Sequence, residues 1–99
     1  MKIIPQPIVF QWDRGNVEKN FQKHNVTPEE AEQIFFDTNK RQYRDVAHST
    51  DQEKRYLLIG KTKNNRLLFI AYTIRGKAIR VISARNLNRR EKALYEKAA

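Results

Sequence analysis

Arg80 is the residue whose placement most needs a chemical reason, because it interrupts the apolar run Ile79-Arg80-Val81-Ile82. A guanidinium in such company requires water, a counter-ion or a ligand, and a solvated arginine on an open sheet face would meet that requirement alone. Strand alternation, however, places Tyr56 and Thr73 on the same face as Arg80, and a guanidinium beside hydroxyl groups is suited to holding a phosphate. Arg85 closes the same strand, with Arg66 expected next to it across a hairpin; two neighbouring cations without partners invite an anion. Lys61, Lys63 and Arg66 gather at one hairpin tip, a patch able to track a phosphate backbone. His48 lies in a polar loop with Ser49 and Asp51, where an imidazole of ordinary pKa about 6.5 suits general acid–base work. His24 continues a helical stripe and reads as a half-buried structural histidine. Arg85, Arg89, Arg90 and Lys92 are interspersed with Glu91 and Glu96 and read as a solvated helix start.

Other chemistries lack their residues. The chain has no cysteine and two histidines, which removes disulfides, thiol nucleophiles and thiolate zinc sites and leaves poor material for a metal cage. Neither a Gly-rich phosphate loop nor a Ser/His/Asp triad spacing is present, so no cofactor and no metal are expected. Lys and Arg number 20 against 11 Asp and Glu, a net charge of +9 with a pI near 10.1. That balance favours polyanionic partners, nucleic acid or acidic protein. No apolar run reaches the roughly 18 residues that span a bilayer, and Pro5 and Pro7 interrupt the opening too early for a secretory segment. A cytoplasmic protein without a membrane role is expected. With 99 residues, 39% hydrophobic and 31% charged, the chain reads as one globular domain over 1–99.

The elements that must position these residues are legible from local signals. A short strand is expected from Ile8 to Trp12, followed by a helix capped by Asp13 with Val17, Phe21 and His24 as its apolar stripe. Asn25 tolerates the left-handed exit that ends it. Thr27-Pro28-Glu29-Glu30 carries a capping box with proline at the first helical position, so a second helix is expected over 28–36. Tyr43 to Val46 suits an edge strand. From Arg55 the period becomes that of strands: Arg55 to Thr62, Leu67 to Ile74 and Ala78 to Arg85, an antiparallel meander. Asn88 and Glu91 form a capping box for a terminal helix reaching Ala99, whose few anchors, chiefly Leu94 and Tyr95, predict weak docking.

Short hairpin loops fix which side chains share a face. A two-residue turn at Arg75-Gly76 pairs Ile74 with Lys77 and Tyr72 with Ile79. A loop centred on Asn64 and Asn65 pairs Thr62 with Leu67 and Ile59 with Ile70. One face then carries Leu57, Ile59, Leu68, Ile70, Tyr72, Ile74, Ile79 and Val81 beneath the first two helices. The other carries Tyr56, Leu58, Phe69, Thr73, Arg80, Ile82 and Ala84 on a floor of small residues, open to a substrate or a partner.

The same residues resemble the BrnT toxins of bacterial type II toxin–antitoxin pairs. The resemblance runs through Phe10-Gln11-Trp12-Asp13, Asn20-Phe21-Gln22-Lys23-His24-Asn25-Val26, Glu29-Glu30-Ala31, Phe36-Asp37, His48-Ser49, Arg55 and Ile59-Gly60. It continues through Arg66-Leu67-Leu68, Tyr72-Thr73 and Ile79-Arg80-Val81-Ile82-Ser83-Ala84-Arg85 to Glu91 and Tyr95. Asn25 stands where many relatives carry glycine and serves the same left-handed exit. The resemblance implies an α+β, RelE-like fold and a ribonuclease that halts translation. It also implies a cognate antitoxin with a ribbon-helix-helix part, and operator DNA bound only through the toxin–antitoxin complex. Metal-free RNA cleavage proceeds by attack of a 2′-hydroxyl on its adjacent phosphate, which needs a base, an acid and cations where charge develops. On that basis Arg80 and Arg85 take the charge role, His48 or Tyr56 the proton transfer, and Arg55, Lys61 and Arg66 the RNA binding. An acidic antitoxin would make its apolar contacts around Leu67, Phe69 and Ile82. The competing readings are a non-catalytic nucleic-acid or partner-binding module, and a structural subunit whose second sheet face is permanently covered.

Overall fold

Capping chemistry places the helices where the sequence suggests. A computed structural model describes residues 4–98. Strand β1 (Phe10–Gln11) leads into helix α1 (Arg14–His24) through Asp13, whose backbone is extended and whose carboxylate accepts the amide hydrogens of Gly15 and Asn16. Asn25, at φ 54°, turns the chain out of α1. Helix α2 (Pro28–Ile34) starts with the expected reciprocal box between Thr27 and Glu30 and ends at Phe35, slightly earlier than predicted. Strands β2 (Arg41–Arg44), β3 (Arg55–Lys61), β4 (Leu67–Arg75) and β5 (Ala78–Asn86) follow, then helix α3 (Arg89–Ala98). The α3 start carries the Asn88/Glu91 box at 2.8 and 2.9 Å, while Ala99 lies outside the described residues. No helix among the described residues is long and apolar enough to cross a membrane.

The strands form one five-stranded sheet in the order β1-β5-β4-β3-β2, with β1 parallel to β5 and the rest antiparallel. Two hairpins depart from the expected register. Between β3 and β4, Asn65 adopts φ 67° and its amide bonds to Thr62 O at 3.0 Å, which leaves a three-residue loop, Lys63 to Asn65, between Thr62 and Arg66. A left-handed residue after a turn is a common hairpin closure. It pairs Ile59 with Phe69 rather than Ile70, and a one-residue slip reverses a strand's faces. Tyr56, Leu58 and Gly60 therefore face the helices, and Leu57 and Ile59 the opposite side. Between β4 and β5 the turn is Gly76-Lys77, pairing Arg75 with Ala78; the shift is by two residues, so the faces of Tyr72, Ile79, Val81 and Arg80 stand as expected. A bulge at Ile82 then puts Val81 opposite Tyr72 but Ser83 opposite Ala71. It turns Ala84 toward the helices and Arg85 onto the face of Arg80.

The main core lies between α2 and the sheet. Ile34, Phe35, Leu58, Leu68, Ile70, Tyr72, Ile79 and Val81 are all at most 2% exposed. An aromatic row crosses it: Phe10 to Phe35 and Phe35 to Tyr72 edge-to-face with centroids 5.1 Å apart, then Tyr56 against Tyr72 at 5.5 Å. Gly60 lets α2 approach, since a Cβ there would come within 2.7 Å of Ile34 Cγ2. Helix α1 uses another device. Beyond the two residues of β1 the edge of β5 is bare, and α1 satisfies it with amide side chains: Asn20 Oδ1 accepts from Ala84 N at 3.2 Å and Asn16 Nδ2 donates to Val81 O at 3.5 Å. Asn20 is thus buried and Phe21, expected in the apolar stripe, is exposed.

Helix α3 lies on the other face and docks more firmly than its sequence suggests. Leu87 and Tyr95 are buried against Ile59, Tyr43, Leu67 and Phe69, whereas Leu94 stays exposed. The apolar contacts expected for an antitoxin at Leu67 and Phe69 are therefore already made by α3.

Candidate active site

The sheet register draws a row across the face opposite α1 and α2: Gln11 beside Arg80, Arg80 beside Thr73, Thr73 beside Arg55. Helix α3 covers the other half of this face and leaves the row open. Here Arg55, Arg75 and Arg80 line a pocket of ≈ 290 Å³ together with Asn16, Glu53, Thr73 and Ile82. A smaller one of ≈ 150 Å³ adjoins it, lined by Gln11, Trp12, Asp13 and the same Arg75 and Arg80.

Each cation is held differently. Arg80 Nη2 lies 3.2 Å from Asp13 Oδ2, and the Arg80 side chain is 21% exposed. Arg75 Nη2 lies 3.2 Å from Glu53 Oε2. Arg55 begins β3 at the end of the 45–54 loop, which Ser49 organises: its hydroxyl donates to Asp45 O at 2.6 Å and accepts from Arg55 N at 2.9 Å. Thr50 fixes Glu53 within that loop through Glu53 N to Thr50 Oγ1 at 2.9 Å. Thr73 is buried, and its hydroxyl donates to Lys54 O at 2.7 Å. It anchors the loop rather than presenting a free donor to a ligand.

The other residues singled out from sequence lie elsewhere. Tyr56 packs on Tyr72 on the helix side, because the three-residue hairpin reverses β3; it does not share Arg80's face. Arg85 does share it, but five residues along β5, roughly 15 Å away at strand rise. Its guanidinium stacks 4.0 Å from the Phe69 centroid and pairs with both Glu91 oxygens at 2.8 Å. Arg66 is not beside Arg85 as an unpartnered cation. It donates to His24 O, Asn25 O, Asn86 Oδ1 and both Glu30 oxygens at 2.7–3.1 Å, closing the C-terminal end of α1. His48 is exposed at the β2 edge, with Nδ1 2.9 Å from Asp45 Oδ2. Asp45 N bonds to Arg55 O, so His48 stands at the far end of the row. Three strand spacings separate that end from Arg80, roughly 14 Å. Lys61 is exposed, its Nζ 5.8 Å over the Tyr95 ring, and it lines a different cavity of ≈ 480 Å³ beside α2.

Sequence reasoning missed Asp13 as Arg80's partner, Glu53 and Arg75. Asp13 was visible only as a helix cap, and Glu53 carries no signal beyond its charge.

An ion pair and a charged hydrogen bond also fasten the α3 roof. Arg85's hydrogen bonds hold the Glu91 carboxyl below the usual carboxylate range, against the upward push of burial. Burial also pushes Asp37 upward, but bonds from Tyr95 and from the Asn39 and Lys61 amides outweigh it and hold it low. Burial and the 2.7 Å bond to Asp37 push the Tyr95 hydroxyl up to about 12. Depressed carboxyls add stability that is present above their unfolded values and lost as pH falls through their folded ones. Tyr95, being raised, adds stability that is present below its unfolded value near 10 and lost as pH rises through about 12. Tyr95→Phe is expected to be less stable than wild type at pH 7, by denaturant unfolding. That difference should shrink as pH rises through about 12 and again in acid as Asp37 is protonated; a pH-independent difference would contradict the assignment.

A mixed sheet with helices on both faces is the α+β architecture that the sequence resemblance implies. The model of the family described as "Ribonuclease toxin, BrnT, of type II toxin-antitoxin system" matches residues 12–91, and the chain belongs to that family. The fold is also similar to that of the Brucella abortus ribonuclease toxin BrnT. The TM-score is 0.62 at 18% identity, over 83% of this chain and 99% of that one. No functionally curated protein matches the chain.

Proposed function

We propose that the protein is a metal-independent endoribonuclease that arrests translation and is held inactive by a cognate antitoxin bearing a ribbon-helix-helix part. The observation that carries this reading is the pocket in which Arg80, Arg55 and Arg75 converge on the uncovered half of the sheet. Three guanidiniums there can bind the scissile phosphate and oppose the negative charge that develops when the 2′-hydroxyl attacks it. Arg80 is the central donor, since β1 and β4 fix its backbone on both sides. Glu53 is the carboxylate closest in role to a general base, being set among these arginines. His48, Tyr56, Arg85, Lys61 and Arg66 lie outside the pocket; of these, exposed His48 and Lys61 remain available to more distant parts of an RNA chain. Metal independence is supported by residue chemistry: the arginines can provide charge stabilisation without a cation.

Purified protein incubated with labelled RNA, with and without ribosomes, tests the reading. Cleavage is expected to survive chelation and to stop on addition of the antitoxin. Activity lost with chelator and restored by a divalent ion would overturn metal independence. Tight, salt-insensitive binding of one operator sequence by the isolated protein, without cleavage, would favour a DNA-binding module.

A further inference from the structure

We infer that Asp13 is a positioning residue for Arg80, so that the first turn of α1 sets the aim of the guanidinium; this rests on the ribonuclease reading of the pocket. The two carboxylate oxygens do separate work. Oδ1 accepts the Gly15 and Asn16 amides at 2.8 and 3.4 Å, which fixes the carboxylate against the helix start. Oδ2 is then held 3.2 Å from Arg80 Nη2. Arg80 is fixed from its other end, because its backbone sits inside the sheet between Gln11 and Thr73. Both ends of the pair are therefore rigid, although 67 residues separate them in the chain.

Two further features serve the same end. A Cβ on Gly15 would lie 3.2 Å from Asp13 Oδ1, tighter than ordinary contact, so the absent side chain leaves the carboxylate room to sit where it does. Trp12, immediately before it, is pinned by its indole N–H to Glu32 Oε2 at 2.8 Å. A guanidinium has five N–H donors, and Asp13 engages Arg80 through Nη2, leaving others to meet a phosphate from the pocket side. Arg75 has a different kind of support, its partner Glu53 coming from a loop.

The test exploits the equivalence of Asn, Ser and Asp as helix caps. Asp13→Asn and Asp13→Ser keep the cap and remove the charge. Both are expected to melt as wild type does, while kcat for RNA cleavage falls on the order of 10- to 100-fold. KM should be unchanged or lower, because the pocket has lost a negative charge. Placed on Arg80→Ala, Asp13→Asn should give no further loss, since it acts through Arg80. Gly15→Ala should lower kcat in the same direction without lowering the melting temperature. In side-chain NMR, rotation of the Arg80 guanidinium should become faster in Asp13→Asn, a change that a capping role alone would not produce. Wild-type kcat in both capped variants, with Arg80→Ala inactive, would overturn the positioning role and leave the pocket assignment intact. A loss that persists in full on the Arg80→Ala background would also overturn it, marking Asp13 as an independent proton-transfer group. Wild-type cleavage by Arg80→Ala would overturn the pocket assignment itself.

Discussion

Arg80→Ala is expected to leave a folded protein whose RNA cleavage is reduced on the order of 10²–10³-fold, the usual consequence of losing one preorganised donor at a developing charge. The fold should survive because Arg80 lies outside the apolar core, with its guanidinium paired to a half-exposed carboxylate. A loss of that size should relieve growth arrest in cells expressing the variant. Soluble yield and thermal melting measured alongside separate lost chemistry from lost folding. A folded Arg80→Ala protein as toxic as wild type would remove Arg80 from the mechanism.

Leu58→Ala should destabilise the protein by roughly 2–5 kcal/mol, since it empties a fully buried position. Leu58 is 0% exposed beneath the helices, while Leu57, the next residue, faces the other way and is only partly buried. Leu57→Ala should therefore be clearly the milder change. Denaturant titration of the pair reads the register directly. Equal losses, or a larger loss at Leu57, would restore the pairing of Ile59 with Ile70 expected from sequence and contradict the three-residue hairpin.

Features governed by neighbours in sequence were legible. Asp13, Thr27 with Glu30, Asn25, and Asn88 with Glu91 all cap as their residue types suggest, because a cap is satisfied within one helical turn. The family and the α+β fold were legible from the ordered motifs. Strand faces in β3 and at the end of β5 were not, since each hinges on one residue: the left-handed Asn65 and the bulged Ile82. Arg80 could be singled out because a charge in an apolar strand stands out, yet its partner could not. Asp13 already had a sufficient local role, and a second role 67 residues away leaves no periodic trace. Arg66 looked like a free cation for a similar reason: two of its partners are the carbonyls of His24 and Asn25, and a backbone carbonyl exists at every position.

The parallel pairing of β1 with β5, together with the Asp13–Arg80 contact across 67 residues, joins an early element to a late one. During synthesis the N-terminal segments emerge first, and α1 can be capped long before Arg80 has been translated. Any nascent or truncated chain that stops short of β5 has neither the central guanidinium nor the strand that β1 pairs with. Assembly of the pocket thus waits until β5 has been made, long after Asp13 can have taken its place at the start of α1.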